Sequence, residues 1–301
     1  MIKNFEQLFD FIKGRERKKI VVPRAESKSI VEACNEAHNV GLADSILIGD
    51  GEKILDICKE AGVESSIFDI VDESDDVNAV KKAIDIVNEG RASMIMKGKT
   101  DTATLLKEVL SSESGLKRGR VLSHIAVVEV KNYHKLMVFT DGGLNIYPDL
   151  DKRIDIIKNA VEFEKKLGNS DIKVALLTAV EKVNEKIKET LVYDKIVKMQ
   201  KSEKFVDAVV EGPVAMDIAL DSEAAKIKDY KGKIPGDVDI FVTPDIASCN
   251  IVVKSLIYLA NAKVGGLVVG AKVPIVLLSR SDTPDTKLRS IALGALWENV
   301  D

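Results

Sequence analysis

Short apolar runs alternate along this chain with longer segments in which apolar residues recur at helical spacing. The short runs are rich in β-branched residues, which favours buried strands. We predict strands at 19–22, 45–48, 93–96, 125–129, 136–139, 174–177, 208–210, 240–242, 266–269 and 275–278. We predict helices at 27–40, 77–88, 102–110, 152–167, 185–198 and 250–259. The alternation indicates an α/β fold with mostly parallel sheets, apart from a hairpin formed by 125–129 and 136–139.

Polar segments marked by glycine or proline follow five of the predicted strands. They cover residues 97–102, 140–148, 211–217, 243–250 and 279–280. Ligands of open parallel sheets bind outside the carboxyl ends of the strands. We therefore expect the site among these five segments.

The segment 275–289 carries the clearest signal of this kind. A four-residue apolar run ends directly in Ser279 and Arg280, and Thr283 and Pro284 then fit the N-cap and first position of a helix. A hydroxyl, a guanidinium and backbone N–H groups would thus lie close together. Such an arrangement can hold a phosphate or another oxyanion.

Composition and charge exclude several classes of protein. The 301 residues fit one large or two medium domains, and the net charge of −4 argues against a nucleic-acid-binding surface. Lys254, Lys263 and Lys272 interrupt the most apolar stretch, 251–278, which we interpret as core elements and not as a membrane span. No export signal opens the sequence, so we expect a cytoplasmic protein with reduced cysteines.

The familiar nucleotide and nucleophile motifs do not fit. Lys97-Gly98-Lys99-Thr100 contains Gly-Lys-Thr, but Ser93 stands where a phosphate-binding loop needs its first glycine. No strand is followed by G-x-G-x-x-G, and Ser279 lacks the G-x-S-x-G setting of a nucleophile. The histidines and cysteines lack metal-ligand spacing, so we expect neither a metal nor a permanently bound cofactor.

Single polar residues have both structural and functional interpretations. Lys97 is either a solvated loop lysine or a cation that faces an anionic substrate. His124, at the start of a strand, is more often structural than catalytic. Asn145, Asp217 and Asn250 fit helix caps as well as ligand contacts.

Six segments together resemble the phosphate acetyl/butyryl transferase family, most closely its butyryl branch. They are M-x-M-K-G-x-x-x-T-A-T (94–104), S-H-I-A-V (123–127), T-D-G-G-L-N-I-Y-P (140–148), E-G-P-V-A-M-D-I-A-L (211–220), P-D-I-x-x-x-N (244–250) and S-R-S-D-T-x-x-T-K (279–287). The resemblance implies an architecture like that of isocitrate and isopropylmalate dehydrogenases, with two α/β domains and an interdomain cleft. The domains would be 1–135 with 284–301, and 136–283.

The resemblance also implies a reaction in which acyl-CoA and phosphate give acyl phosphate and CoA by direct displacement, in a homodimer or larger homo-oligomer. Coenzyme A would be a substrate. Ser279 would stabilise the oxyanion and Arg280 would bind the phosphoryl group or CoA. The substrate-binding residues would be Lys97, Gly98, Thr102, His124, Asp141, Asn145, Asp217, Asn250 and Thr286.

One position departs from the family pattern. The acetyl branch carries an aspartate, proposed as the general base, seven residues after the serine, where this chain has Thr286. Asp285 or Asp282 would replace it, or the thiol proton leaves by another route. Two other functions remain open at this point: a nicotinamide-dependent decarboxylating dehydrogenase and a protein that binds CoA or acyl phosphate without catalysis.

Overall fold

The computed structural model describes residues 1–277 and 282–297, and these form an α/β protein. The described helices are α1 (Phe5–Lys13), α2 (Lys28–Asn39), α3 (Gly51–Ala61), α4 (Asp76–Asn88), α5 (Thr102–Val109), α6 (Leu150–Lys166), α7 (Lys188–Glu203), α8 (Met216–Leu220), α9 (Ser222–Ile227), α10 (Ile246–Ala260) and α11 (Pro284–Ala295). The described strands are β1 (Lys18–Pro23), β2 (Ala43–Gly49), β3 (Phe68–Asp72), β4 (Met94–Met96), β5 (Ser123–Glu129), β6 (Met137–Thr140), β7 (Lys173–Leu177), β8 (Val209–Val214), β9 (Ile240–Val242), β10 (Lys263–Val269) and β11 (Ile275–Val276).

The chain divides into two compact units by its contacts. Unit I contains Phe5–Arg120 and the described residues from Gly265 onward, and unit II contains Met1–Asn4 and Val121–Val264. These boundaries differ from the domains expected from the sequence, 1–135 with 284–301 and 136–283. That assignment of domains stays a prediction.

Unit I has the strand order β3-β2-β1-β4-β11-β10, of which β10 begins at the end of unit II. Its strands pair in parallel up to β11, and β10 runs antiparallel to β11. The central strands are apolar on both faces because helices cover both; Ile20, Val21 and Val22 of β1 are fully buried.

Unit II has the strand order β5-β6-β9-β7-β8. The strands β5 and β6 are antiparallel, with Val127 opposite Val138, so the predicted hairpin is confirmed. The pairs β6–β9, β9–β7 and β7–β8 are parallel. The rings of Phe139 and Phe241 stack 4.8 Å apart on neighbouring strands within the core.

Side-chain caps fix the beginnings of seven described helices. In each, an oxygen of the residue before the helix accepts a backbone N–H of its first turn. The capping residues are Asp50, Asp75, Asp101, Asp149, Asp221, Asp245 and Thr283. The predicted cap Thr283 with Pro284 at the first position is confirmed.

Several sequence predictions need correction. We did not predict β3, the helices α1, α3, α8 and α9, or the antiparallel pairing of β10 with β11. The apolar stretch from 251 onward does not consist only of core elements: within α10 only Cys249 is buried, whereas Ile251, Tyr258 and Leu259 are exposed. The run 275–278 forms strand only at Ile275–Val276, and residue 278 lies outside the described residues.

Candidate functional site

In unit I, Lys97 begins the segment that leaves the carboxyl end of β4. Its backbone N–H donates to the Val276 carbonyl at 3.0 Å, so it lies beside the end of β11. The half-buried side chain curls back, and its Nζ donates to the carbonyls of Gly98 and Thr100 at 3.2 and 3.1 Å. The ammonium therefore orders the segment 97–100 at this edge of the sheet.

Gly98 lies against the turn that follows β1. A side-chain carbon at Gly98 would come 2.1 Å from the Arg24 carbonyl oxygen and 2.4 Å from that of Pro23, so only glycine fits. The Lys99 N–H donates to the same Arg24 carbonyl at 2.6 Å. The ends of β1 and β4 are thereby held together through their backbones.

Thr102 is exposed at the first position of α5. Its neighbour Asp101 caps the helix by accepting the Thr104 N–H at 2.9 Å and the Thr104 hydroxyl at 2.5 Å. These two bonds hold the pKa of Asp101 below its usual value. The start of α5 is thus formed, with the Thr102 side chain on its surface.

The start of α11 follows the predicted serine–arginine pair. Ser279 and Arg280 lie outside the described residues. The Thr283 Oγ1 accepts the Thr286 N–H at 3.2 Å, and the two threonine hydroxyls are 3.0 Å apart. Asp285 is exposed and its carboxylate lies 3.2 Å from an Arg289 guanidinium nitrogen, one turn along the helix.

In unit II, Asp141 organises the loop that follows β6. Its buried carboxylate accepts the N–H groups of Gly143, Leu144 and Asn145 at 2.8, 3.0 and 3.2 Å. The Asn145 side-chain amide donates to the same carboxylate at 2.6 Å and to the Leu122 carbonyl at 2.8 Å. Asp141 and Asn145 are therefore brought together, and their hydrogen bonds hold the loop itself.

His124 lies under this loop. Side-chain carbons at Gly142 and Gly143 would come within 3.7 and 3.0 Å of the imidazole side chain, so the glycines allow the loop backbone to rest on it. An open pocket of about 580 Å³ begins here, lined by Gly142, Gly143, Ile246, Ala247, Asn250 and Ile251. The structure thus brings His124, Asp141, Asn145 and Asn250 to one end of the unit II sheet.

The buried residue Arg153 stabilises the segment that follows β9, at the same end of the unit II sheet. Its guanidinium donates to the Pro244 carbonyl at 2.6 Å and to the Thr243 carbonyl at 3.4 Å, and it lies 5.2 Å from the centre of the Tyr193 ring. Asp245, next in sequence, caps α10. Arg153 therefore fixes the segment that places Asn250.

One further predicted residue, Asp217, has a structural partner, and Cys249 of α10 is buried. Asp217 is exposed and lies 2.8 Å from Lys228 Nζ, which holds the pKa of Asp217 below its usual value. Cys249 is fully buried, and burial raises the pKa of its thiol to about 12. A thiol in this state is a poor nucleophile.

Helix capping by Asn145 and Asn250 is not observed. Asp149 caps α6, and Asn250 lies inside α10. Asp217 does accept the N–H of its neighbour Ile218 at 2.9 Å, while Ala215 occupies the N-cap of α8.

Two polar residues near these loops were missed from the sequence. Arg24 follows β1 directly and forms ion pairs with Glu26 and Asp76. Arg24 could have been predicted, because ligands of parallel sheets bind at the carboxyl ends of strands and Arg24 lies at the carboxyl end of β1. Arg153 lies within a helix, and nothing in its sequence context signals a role at the loop after β9.

Within residues 1–277 and 282–297, no group of three or more His, Cys, Asp or Glu side chains could hold a metal ion. No helix in that same part of the chain has the length and apolar character needed to span a bilayer.

Comparison with known sequences gives a consistent match. The family model described as "Phosphate acetyl/butaryl transferase" matches residues 4–82 and 76–295. Phosphate butyryltransferase of Clostridium acetobutylicum is 40% identical over 98% of this chain and 98% of its own. Phosphate acetyltransferase of Rhizobium meliloti is 38% identical over 87% of this chain and 83% of its own.

Comparison with solved structures agrees with the fold. The crystal structure of a branched-chain phosphotransacylase from Enterococcus faecalis V583 matches with a TM-score of 0.83 and 33% identity, over 93% of this chain and 98% of the other. The 4-hydroxythreonine-4-phosphate dehydrogenase of Klebsiella pneumoniae matches with a TM-score of 0.60 at 12% identity, over 93% and 98%. At 12% identity this structural match shows a shared fold alone. The shared fold confirms the predicted likeness to a dehydrogenase architecture.

Proposed function

Because the chain belongs to the phosphate acetyl/butyryl transferase family, we propose that this acyltransferase moves a butyryl group between CoA and phosphate. The observation that carries the choice of acyl group is the 40% identity to a phosphate butyryltransferase over 98% of both chains. Acetyl is the alternative, since a phosphate acetyltransferase is 38% identical. Acyl-CoA, CoA, phosphate and acyl phosphate are the proposed ligands, without a permanently bound cofactor, in the cytoplasm.

The proposed reaction is a direct displacement. A phosphate oxygen attacks the thioester carbonyl, the carbonyl oxygen becomes an oxyanion, and the C–S bond breaks as the carbonyl re-forms. The electron pair leaves on the CoA sulfur, which then takes a proton. Hydrogen-bond donors placed where the oxyanion develops lower the barrier most effectively. We assign that donation to Ser279, the binding of the phosphoryl group to Arg280, and the binding of substrate to Lys97, Gly98, Thr102, His124, Asp141, Asn145, Asp217, Asn250 and Thr286.

The state of Cys249 supports direct displacement over a covalent acyl-enzyme. Its thiol is buried and its pKa is raised to about 12, so it would rarely form a thiolate at neutral pH. Initial-rate measurements with butyryl-CoA and phosphate as the varied substrates should give intersecting lines. Parallel lines together with a trapped acyl-enzyme would contradict the proposal.

The reverse direction needs a base for the CoA thiol, and we propose Asp285. Its carboxylate is 77% exposed and bound by Arg289 alone among described cations, so it can accept a proton near the start of α11. Asp285→Asn should lower kcat about 10²-fold for butyryl phosphate plus CoA. Asp149→Asn, which changes an exposed carboxylate in unit II, should leave kcat unchanged. The same loss in Asp282→Asn and not in Asp285→Asn would move the role to Asp282.

A substrate series tests the choice of acyl group. Thiol release would be measured with acetyl-, propionyl-, butyryl- and branched acyl-CoA at saturating phosphate, and kcat/KM should be largest for butyryl-CoA. A maximum at acetyl-CoA would favour the alternative. Absence of any phosphate-dependent thiol release would contradict the transferase proposal and favour a binding protein.

The exposed apolar side of α10 supports the proposed homo-oligomer. Ile251, Tyr258 and Leu259 are 66%, 72% and 84% exposed, on a helix whose only charged residue is Lys254. Exposed large apolar side chains on one helix often mark an interface, and we propose a second copy of this chain as its partner. Leu259→Glu should convert the oligomer to monomer in sedimentation velocity, whereas Ile227→Glu, at an 86% exposed position on α9, should not.

A further inference from the structure

Lys287 is a buried lysine on the first turns of α11. Its residue surface is only 8% exposed. Residues 287, 291 and 294 are spaced by four and three positions, so they share one face of the helix. A side-chain carbon at Gly294 would lie 2.8 Å from Met94 Sδ and 3.6 Å from Val276 Cγ2. The face that carries Lys287 therefore rests on β4 and β11.

The packing of α11 also fixes the level of Lys287 along these strands. Ser290 Oγ accepts the Gly266 N–H at 3.0 Å, and Gly266 precedes Val268, which pairs with Ile275 in the antiparallel β10–β11 ladder. Ser290 thus lies level with the end of β11. Lys287 precedes it by about one turn, roughly 4.5 Å along the axis at 1.5 Å per residue, and lies beyond the carboxyl end of β11.

The cations around this edge differ in what they already bind. Lys97 Nζ donates to two carbonyls, and Arg289 pairs with Asp285. Among residues 1–277 and 282–297, Lys287 Nζ forms neither an ion pair nor a hydrogen bond. Long side chains of helices point toward the helix N-terminus, so the expected direction of the ammonium is toward the start of α11. A buried stem with an unpaired ammonium beside a helix N-terminus fits an anion as partner.

We propose that Lys287 binds the phosphoryl oxygens of the phosphate substrate at the start of α11. The proposal rests on the proposed transferase function and adds a residue to the same site. The ammonium would act as a point charge on phosphate or acyl phosphate, next to the positive end of the helix dipole. It would not contact the acyl chain, so its effect should be confined to the phosphate side of the reaction.

Kinetics of three variants test this role. Lys287→Met keeps the length and apolar stem but removes the charge, Lys287→Arg keeps the charge, and Lys107→Met removes an exposed lysine from α5 of the same unit. For Lys287→Met we expect a KM for phosphate about 10 to 100 times higher with the KM for butyryl-CoA changed less than about twofold. Lys287→Arg should recover most of the loss, and Lys107→Met should match the original chain.

A second measurement does not depend on catalysis. Inorganic phosphate should raise the Tm of the original chain and of Lys107→Met, because a ligand that binds only the folded state stabilises it. That shift should be absent in Lys287→Met. An unchanged phosphate KM or an unchanged phosphate shift in a folded Lys287→Met would overturn the proposal, as would a rise confined to the KM for butyryl-CoA. If Lys287→Met does not fold, Lys287→Gln decides by the same two readings.

The two proposals fail in different ways. A chain that releases no thiol from any acyl-CoA with phosphate contradicts the transferase function, whatever Lys287 does. If the chain is active and stabilised by phosphate, but Lys287→Met changes neither the phosphate KM nor the phosphate-induced shift of Tm, only the role of Lys287 is contradicted.

Discussion

The loop after β6 and the start of α11 both carry polar residues but differ in how those residues are bonded. In the loop, the Asp141 carboxylate accepts three backbone N–H groups and the amide of Asn145. At α11, Thr283 closes the cap, whereas Lys287 has no described partner. A polar group with all its partners inside the protein holds structure, whereas one left open is available to a ligand. Substitution of Asp141 should therefore mainly lower stability, and substitution of Lys287 should mainly lower activity.

The largest effect on the activity side is expected for Arg280→Ala. Removing one charged contact to the phosphoryl group should lower kcat/KM for phosphate by about 10²–10³. Steady-state kinetics at saturating butyryl-CoA measure this, with urea unfolding as the check that stability is kept. A near-original kcat/KM would remove Arg280 from the site.

The largest effect on the stability side is expected for Asp141→Ala. Four donors of the loop would lose their common acceptor in a buried setting, which should cost about 2–4 kcal/mol in the free energy of unfolding. Asp149→Ala is the matched control, because Asp149 also accepts a backbone N–H but is 65% exposed, and it should cost only about 1 kcal/mol. Equal losses in urea unfolding would show that burial of Asp141 does not matter.

Glu164, like Asp141, carries a buried carboxyl group, but fewer hydrogen-bond donors surround it. Its side chain accepts one amide bond, from Asn169 at 3.0 Å, and burial, together with nearby Asp239, raises its pKa to about 8. The Glu164 carboxyl of the unfolded chain loses its proton near pH 4.5, whereas that of the folded chain holds it up to a pH of about 8. Stability from Glu164 should therefore fall as pH rises through this window.

The difference between the original chain and Glu164→Gln isolates this contribution. The free energy of unfolding of the original chain should decline relative to the variant from pH 5 to 8 and level off above, since glutamine binds no proton. Asp151→Asn, an exposed change on the same helix, should give a flat difference. A flat difference for Glu164→Gln as well would contradict the raised pKa.

The smallest effect is expected for substitutions of Thr283. Two of them distinguish the loss of the helix cap from the addition of a negative charge at the start of α11. Thr283→Ala should lower the free energy of unfolding by about 1 kcal/mol through loss of the cap. Thr283→Asp should restore the cap but raise the phosphate KM, because a carboxylate would repel the anion at the helix start. A phosphate KM that stays the same in Thr283→Asp would place the phosphate away from α11.

Some elements could be predicted from local sequence and others could not. The Thr283 cap and the β5–β6 hairpin follow from local residue types, and both are observed. The edge strand β3, F-D-I-V-D, was missed because its half-exposed residues do not form an apolar run. α1 was missed although Phe5, Leu8 and Ile12 show helical spacing. The apolar residues of α10 indicated a core, and only the fold shows that Ile251, Tyr258 and Leu259 lie on the surface while Val252, Val253 and Leu256 pack against the core.

The sequence by itself determined the alternation of strands and helices, the Thr283 cap and the family, since these depend on residue types at fixed spacing along the chain. It also marked the segments after the strands as the place for a site. The tertiary structure decided which polar groups in those segments remain open. Asp141 and Asn145 bind one another and their own loop, and Arg153 holds carbonyls some 90 residues away. Hydrogen-bond partners are set by distances in space, and the spacing of residues along a chain does not contain those distances.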